Sequence, residues 1–147
     1  MSLKIFEYQP EGFKPLVTVV GCYCTCQGKV LLVKRHPEVF SGGKWCLPGG
    51  KLEIGESREE GARRELKEEV GIEVDELKHL GTVYLRFPDY EYDFAIYHAY
   101  FESKHKLEVD LRESSEAKWL THEDSLLLLL IHGGERILEY CKKYCSK

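Results

Sequence analysis

Apolar and polar residues alternate or cluster along the chain in a way that predicts strands first and helices later. Residues 16–26 are rich in β-branched and small apolar side chains and read as a strand. Gln27-Gly28-Lys29 is a turn, and residues 30–35 form a second strand that completes a hairpin. Residues 36–44 carry Pro37, Gly42 and Gly43 and read as a loop. A short apolar piece, 45–47, then ends at a turn formed by Pro48-Gly49-Gly50. Residues 80–85 and 92–101 read as strands around a Pro88-Asp89 turn. The second is apolar on both faces, which places it in the middle of a sheet. A further short strand spans 117–120.

The strongest helix lies between these strands. Ser57 and Glu60 form a capping-box pattern, and Gly71 stands where a helix end favours a left-handed residue. Ala62, Leu66 and Val70 recur every four residues as one apolar stripe. A second helix is expected over 121–131, capped by Thr121 or Asp124, and stopped by Gly133-Gly134. A last helix follows, with Ile137, Leu138, Cys141 and Tyr144 on one side. Strands interleaved with helices predict an α/β architecture, a mixed sheet covered by helices.

Length and composition narrow the class. A chain of 147 residues suits one domain over its whole span, 1–147, with one hydrophobic core. The formal net charge of −4 argues against general adhesion to nucleic acid polymers. An anionic ligand would instead need a local cationic device. The first eleven residues lack a signal-peptide pattern, and the longest aliphatic run, 126–131, is too short to span a bilayer. A cytoplasmic location without membrane attachment is the expectation. Cys22, Cys24 and Cys26 alternate on one strand face, and Cys141 and Cys145 share a helix face. Neither spacing matches a zinc or redox pair, so buried, reduced thiols are expected.

The chemistry concentrates on the strong helix. At about 100° per residue, Glu65, Glu68 and Glu69 fall within roughly a 100° arc beside the apolar stripe. Three carboxylates aimed at one spot repel one another, and burial increases that cost. A hard divalent cation with oxygen ligands would relieve it. Arg64, four residues from both Glu60 and Glu68, can orient or neutralise a carboxylate. Gly49 and Gly50 lack side chains, so backbone atoms could approach such an ion.

The stretch from Gly50 to Ile72 resembles the Nudix box, G-x5-E-x7-R-E-U-x-E-E-x-G-U, where U is aliphatic. Gly50, Glu56, Arg64, Glu65, Leu66, Glu68, Glu69, Gly71 and Ile72 fill every specified place. The resemblance implies a Nudix fold, an α/β/α sandwich, with the box as a loop–helix–loop that holds magnesium or manganese. By that likeness Glu65, Glu68, Glu69 and the Gly50 carbonyl are metal ligands, and Glu56 and Arg64 support them. The implied reaction is hydrolysis of a nucleoside diphosphate linked to another group. Bound metal would offset the charge of the diphosphate oxygens and acidify the attacking water, and a carboxylate would take the proton. Similar proteins carry acidic residues before a tryptophan-containing strand, so Glu113 and Glu116 are further candidates as ligand or base. Arg35, at a strand end, is a candidate for a bidentate phosphate contact.

Substrate identity is less defined. Tyr84, Phe87, Tyr90, Tyr92 and Phe40 offer either a stacking face for a base or ordinary hairpin packing. His36, His98 and His132 show no partner pattern. The short chain resembles the small MutT-type enzymes, which favours a nucleoside triphosphate or a sugar nucleotide. Pro88, 16 residues beyond Ile72, resembles a mark of ADP-ribose pyrophosphatases. The alternatives are a nucleotide-binding Nudix module without catalysis, which would commonly lack box glutamates, and isopentenyl diphosphate isomerase, for which the context of Cys46 is a poor match. A homodimer is common among similar proteins.

Overall fold

A computed structural model describes residues 2–38 and 41–145. Its strands are β1 (Lys4–Phe6), β2 (Val17–Cys26), β3 (Lys29–Arg35), β4 (Trp45–Cys46), β5 (Gly49–Lys51), β6 (Lys78–Arg86), β7 (Glu91–Phe101) and β8 (Ser114–Thr121). The helices are α1 (Arg58–Val70), α2 (His122–Ser125) and α3 (Gly134–Tyr144). The sheet is mixed and runs β1-β6-β7-β2-β3-β4, with β5 added to β2 and β8 to β3. β2 and β7 are parallel from Val17↔Tyr92 to Cys26↔Phe101. The tight β2–β3 hairpin turns at Gln27 and Gly28, both at positive φ, as a two-residue connection of right-handed strands demands.

Side chains alternate across this sheet and build a core on each face. On one face Val20, Cys22, Cys24, Cys26, Leu31 and Ala95 meet the stripe of Ala62, Leu66 and Val70 on α1. On the other, Leu32, Val83, Leu85, Phe94 and Ile96 meet Ile137, Leu138 and Cys141 of α3. The result is the helix–sheet–helix sandwich expected. Cys22, Cys24 and Cys26 do share one buried face, and all six cysteines are free thiols.

α1 is built as its sequence dictates. Ser57 accepts from the Glu60 N–H at 3.1 Å, and the Glu60 carboxylate accepts from the Ser57 N–H at 2.8 Å. Gly71 ends the helix at φ 74° and donates its N–H to the Lys67 carbonyl.

Two expectations change and one strand is added. β1, too short to show a period, pairs with the end of β6. Gly49 and Gly50 do not form a turn; they lie in β5, opposite Gly21 and Val20 of β2. The helix expected over 121–131 ends at Ser125. Beyond it the Leu129 carbonyl accepts from the Trp45 N–H and the Ile131 N–H donates to the Trp45 carbonyl, so Leu130 bridges to β4. The chain leaves α2 through turns, with the Leu127 N–H on the Asp124 carbonyl and the Leu128 N–H on the Ser125 carbonyl, before Leu130 reaches β4; Leu126, Leu128 and Leu130 pack inward while Leu127 and Leu129 face solvent.

Candidate active site

α1 lies against β2 and β5, so its carboxylate arc faces the glycine-bearing edge of β5. Gly50 leaves room for that arc: a Cβ at this position would collide with the Glu65 carboxylate, which would have to move aside. Glu65 and Glu69 are buried, at 7% and 4% exposure, and Glu113 approaches from the segment just before β8. One carboxylate oxygen from each of these three lies within 4.8 Å of the others. Burial is the main cause that raises the pKa of Glu69 well above the carboxylate range, and Glu65 and Glu113 add to it. The Gly49 N–H, 3.3 Å from the Glu69 Oε2, and the charge of Arg35 oppose that shift. Burial also raises Glu65, partly offset by Arg64. Such a cluster is relieved either by a proton or by a cation, and three carboxylate donors suit a hard divalent ion.

Arg64 organises the surroundings. Its Nε and Nη2 grip Glu56 in a bidentate pair, both at 2.8 Å, and Nη2 also donates to the Lys51 carbonyl at 3.1 Å. Its Nη1 lies 3.2 Å from Glu65 and 3.3 Å from Glu68. Glu56 is thereby held at a pKa of about 2, chiefly by the hydrogen bonds from Arg64. Glu68 sits on the rim of the cluster, half-exposed and engaged with Arg64.

Of the two downstream acids, only Glu113 joins the cluster. Glu116 lies within β8 opposite Lys34, and its carboxylate pairs with Lys118 at 3.2 Å. The difference arises at a bulge between Lys34 and Arg35, where Arg35 pairs with Ser114 and the register shifts. Arg35 itself lines the cavity beside the cluster, close to Cys46 and Glu69.

That cavity, of about 930 Å³, is lined by Glu65, Glu68 and Glu113 and also by a group of aromatic rings. Phe87, Tyr90 and Tyr92 lie nearly parallel, with centroids 4.8 to 6.3 Å apart and interplanar angles of 13° to 17°. The β6–β7 hairpin presents them, closed by the Phe87 N–H donating to the Tyr90 carbonyl. Tyr84 is not part of this group; it packs edge-on against Phe13. Phe40 lies outside the described residues. His132, with no expected role, lines the cavity with its ring 5.9 Å from Phe87. The only trace of it in the sequence is its position just before the glycine pair that starts α3. Cys46 also lines the cavity, and burial pushes its thiol up to about 12.

Known proteins share this arrangement. The NUDIX domain model matches residues 14–141. The 8-oxo-dGTP diphosphatase of Proteus vulgaris is 41% identical over 76 residues, covering 52% of this chain and 68% of that protein. The human mitochondrial NAD(P)H pyrophosphatase NUDT13 is 31% identical over 117 residues, covering 80% of this chain but 32% of that longer protein. The Nudix domain of Shewanella oneidensis NrtR, solved with ADP ribose, superposes with a TM-score of 0.76 at 25% identity over 92% of each chain. With the box, the sandwich and the acidic cluster in one place, this chain belongs to the Nudix hydrolase family.

Proposed function

We propose that the chain hydrolyses the diphosphate linkage of a nucleoside triphosphate or a sugar nucleotide with magnesium, or manganese, as its cofactor. The observation that carries this reading is the trio of Glu65, Glu69 and Glu113, two of which, Glu65 and Glu113, line a cavity that Phe87, Tyr90 and Tyr92 also line. The carboxylates suit a cation and its phosphates, the rings a base. Glu65, Glu69 and Glu113 would hold the ion, with Glu68 at the rim and the Gly50 backbone open to it. When bound, a divalent ion supplies neutralisation of the diphosphate oxygens and makes a nearby water more acidic. Arg35 offers its guanidinium to a phosphate oxygen from the cavity wall. Glu113, on the solvent side of the trio, is placed to take the proton of the attacking water. Glu56 and Arg64 touch no substrate; they fix Glu65 and Glu68 and hold β5 against α1 through the Lys51 carbonyl.

ADP-ribose stands as the second reading, favoured by the NrtR domain bound to that ligand. The test is phosphate release, coupled to a phosphatase, across triphosphates, sugar nucleotides, ADP-ribose and dinucleoside polyphosphates. Turnover should require magnesium, and Glu69→Gln should lower it by at least about 100-fold with unchanged circular dichroism. Full activity in that variant, or turnover untouched by chelation, would refute the assignment.

A further inference from the structure

We infer that Asp110 is a positioning residue for the metal site: the turn built on its carboxylate and its carbonyl aims Glu113 at Glu65 and Glu69, while Asp110 itself stays outside the trio. The inference rests on the metal-dependent reading above and concerns how the third carboxylate is held.

Glu65 and Glu69 project from a capped helix, but Glu113 comes from a turn at 111–113, just before β8. A carboxylate on a loose turn would lose conformational entropy on joining an ion, so the turn must be fixed beforehand. Asp110 fixes it with three groups. Its N–H donates at 3.0 Å to the Glu69 carbonyl, one of the last carbonyls of α1, which lack partners within the helix. Its carbonyl accepts from the N–H of Glu113 at 3.3 Å and of Ser114 at 3.1 Å. Its carboxylate accepts from the Arg112 N–H at 3.0 Å, the short loop an Asp side chain closes two residues on. Beyond this turn the Glu113 carbonyl accepts from the His36 N–H at 2.8 Å, so the Glu113 backbone is pinned on both sides. Glu69 thereby serves the trio twice, its carboxylate as a member and its carbonyl as the anchor for the segment that brings Glu113.

Asp110 could also act through its charge, which attracts a cation at any orientation. The Arg112 guanidinium offsets that charge, with Nε at 3.1 Å and Nη2 at 2.8 Å from the carboxylate. Geometry is what remains, and two substitutions separate it from charge. Asn keeps the acceptor for the Arg112 N–H and loses the charge. Glu keeps the charge and carries it one methylene away from that N–H.

The test is manganese binding, read from the loss of the free-ion electron paramagnetic resonance signal, which needs no substrate and no turnover. Asp110→Asn should bind within about threefold of wild type. Asp110→Glu should bind at least about tenfold more weakly, the usual loss when a group behind a metal ligand is displaced. Glu113→Gln should also weaken binding, and adding Asp110→Glu to it should cost less than about threefold more, because the turn then has no carboxylate to aim. A merely structural role would weaken both backgrounds alike. Wild-type binding by Asp110→Glu, equal losses in the Asn and Glu variants, or a second tenfold loss on Glu113→Gln would each overturn the inference. A Glu113→Gln variant that binds like wild type would overturn it too, yet leave Glu65 and Glu69 as ligands. Wild-type protein that binds no manganese would defeat the metal reading and this inference together.

Discussion

Glu56 and Glu69 are carboxylates of opposite electrostatic character fewer than fifteen residues apart. Glu56, gripped by Arg64, has its pKa lowered to about 2. Its contribution to stability is therefore present above the ordinary carboxylate pKa and fades as pH falls toward 2. The pair is partly solvated, so Glu56→Gln should lower unfolding free energy at neutral pH by about 1–2 kcal/mol, measured by urea titration. Glu69 has its pKa raised, chiefly by burial. Its contribution is present in full below the ordinary value and is lost as pH rises through the folded one. Metal-free protein should melt at progressively lower temperature as pH rises above about 4.5. Added magnesium should reverse that fall, because it binds only the folded site. Glu69→Gln should flatten the pH dependence of the metal-free melt, and an equally steep profile in the variant would place its cause elsewhere. At Gly50, Ala would push the Glu65 carboxylate out of the trio. Magnesium affinity, followed by calorimetry, should weaken at least about tenfold while the far-ultraviolet spectrum stays native.

α1 was readable in full because every device that defines it is local: the capping box, the four-residue stripe and the terminal glycine. Ser57→Ala should cost about 1 kcal/mol in thermal or chemical unfolding. Gly71→Ala should cost a similar amount or more, since φ is 74° and the new methyl would meet the Glu108 Cβ at 3.0 Å. The end of α2 is not local: a leucine run carries no stop signal, and the helix gives way to turns so that Leu130 can bridge to Trp45 of β4, 85 positions earlier. The choice between Glu113 and Glu116 was equally closed to local reading. The loop 102–113 docks on the end of α1, with the Glu108 N–H on the Val70 carbonyl at 2.9 Å and the Asp110 N–H on the Glu69 carbonyl at 3.0 Å. That docking, with the bulge at Arg35, delivers Glu113 and leaves Glu116 in the β8 ladder. Neither contact has a signature in the spacing of residues.

Across the whole molecule, the box carboxylates were legible from one contiguous stretch, whereas the aromatic residues were legible only as candidates, with Tyr84 among them although it packs elsewhere. Phe87, Tyr90 and Tyr92 converge with His132 only after the sheet and α3 are assembled. The sequence leaves a stacking face and ordinary hairpin packing equally open for them. No helix among the described residues is long and apolar enough to cross a membrane. The parallel ladder between β2 and β7 has a kinetic consequence. It joins positions about 75 residues apart, as at Thr18 and Asp93, and the segment between them contains all of α1. Closing so large a loop costs entropy before its contacts form, which slows folding relative to a chain of local contacts. α1 rests on local contacts, whereas the segment that carries Glu113 is held by contacts such as the Asp110 N–H on the Glu69 carbonyl, about forty residues away. During refolding, magnesium-binding competence should thus lag behind helical signal, and a stopped-flow experiment in which the two rise together would overturn that order.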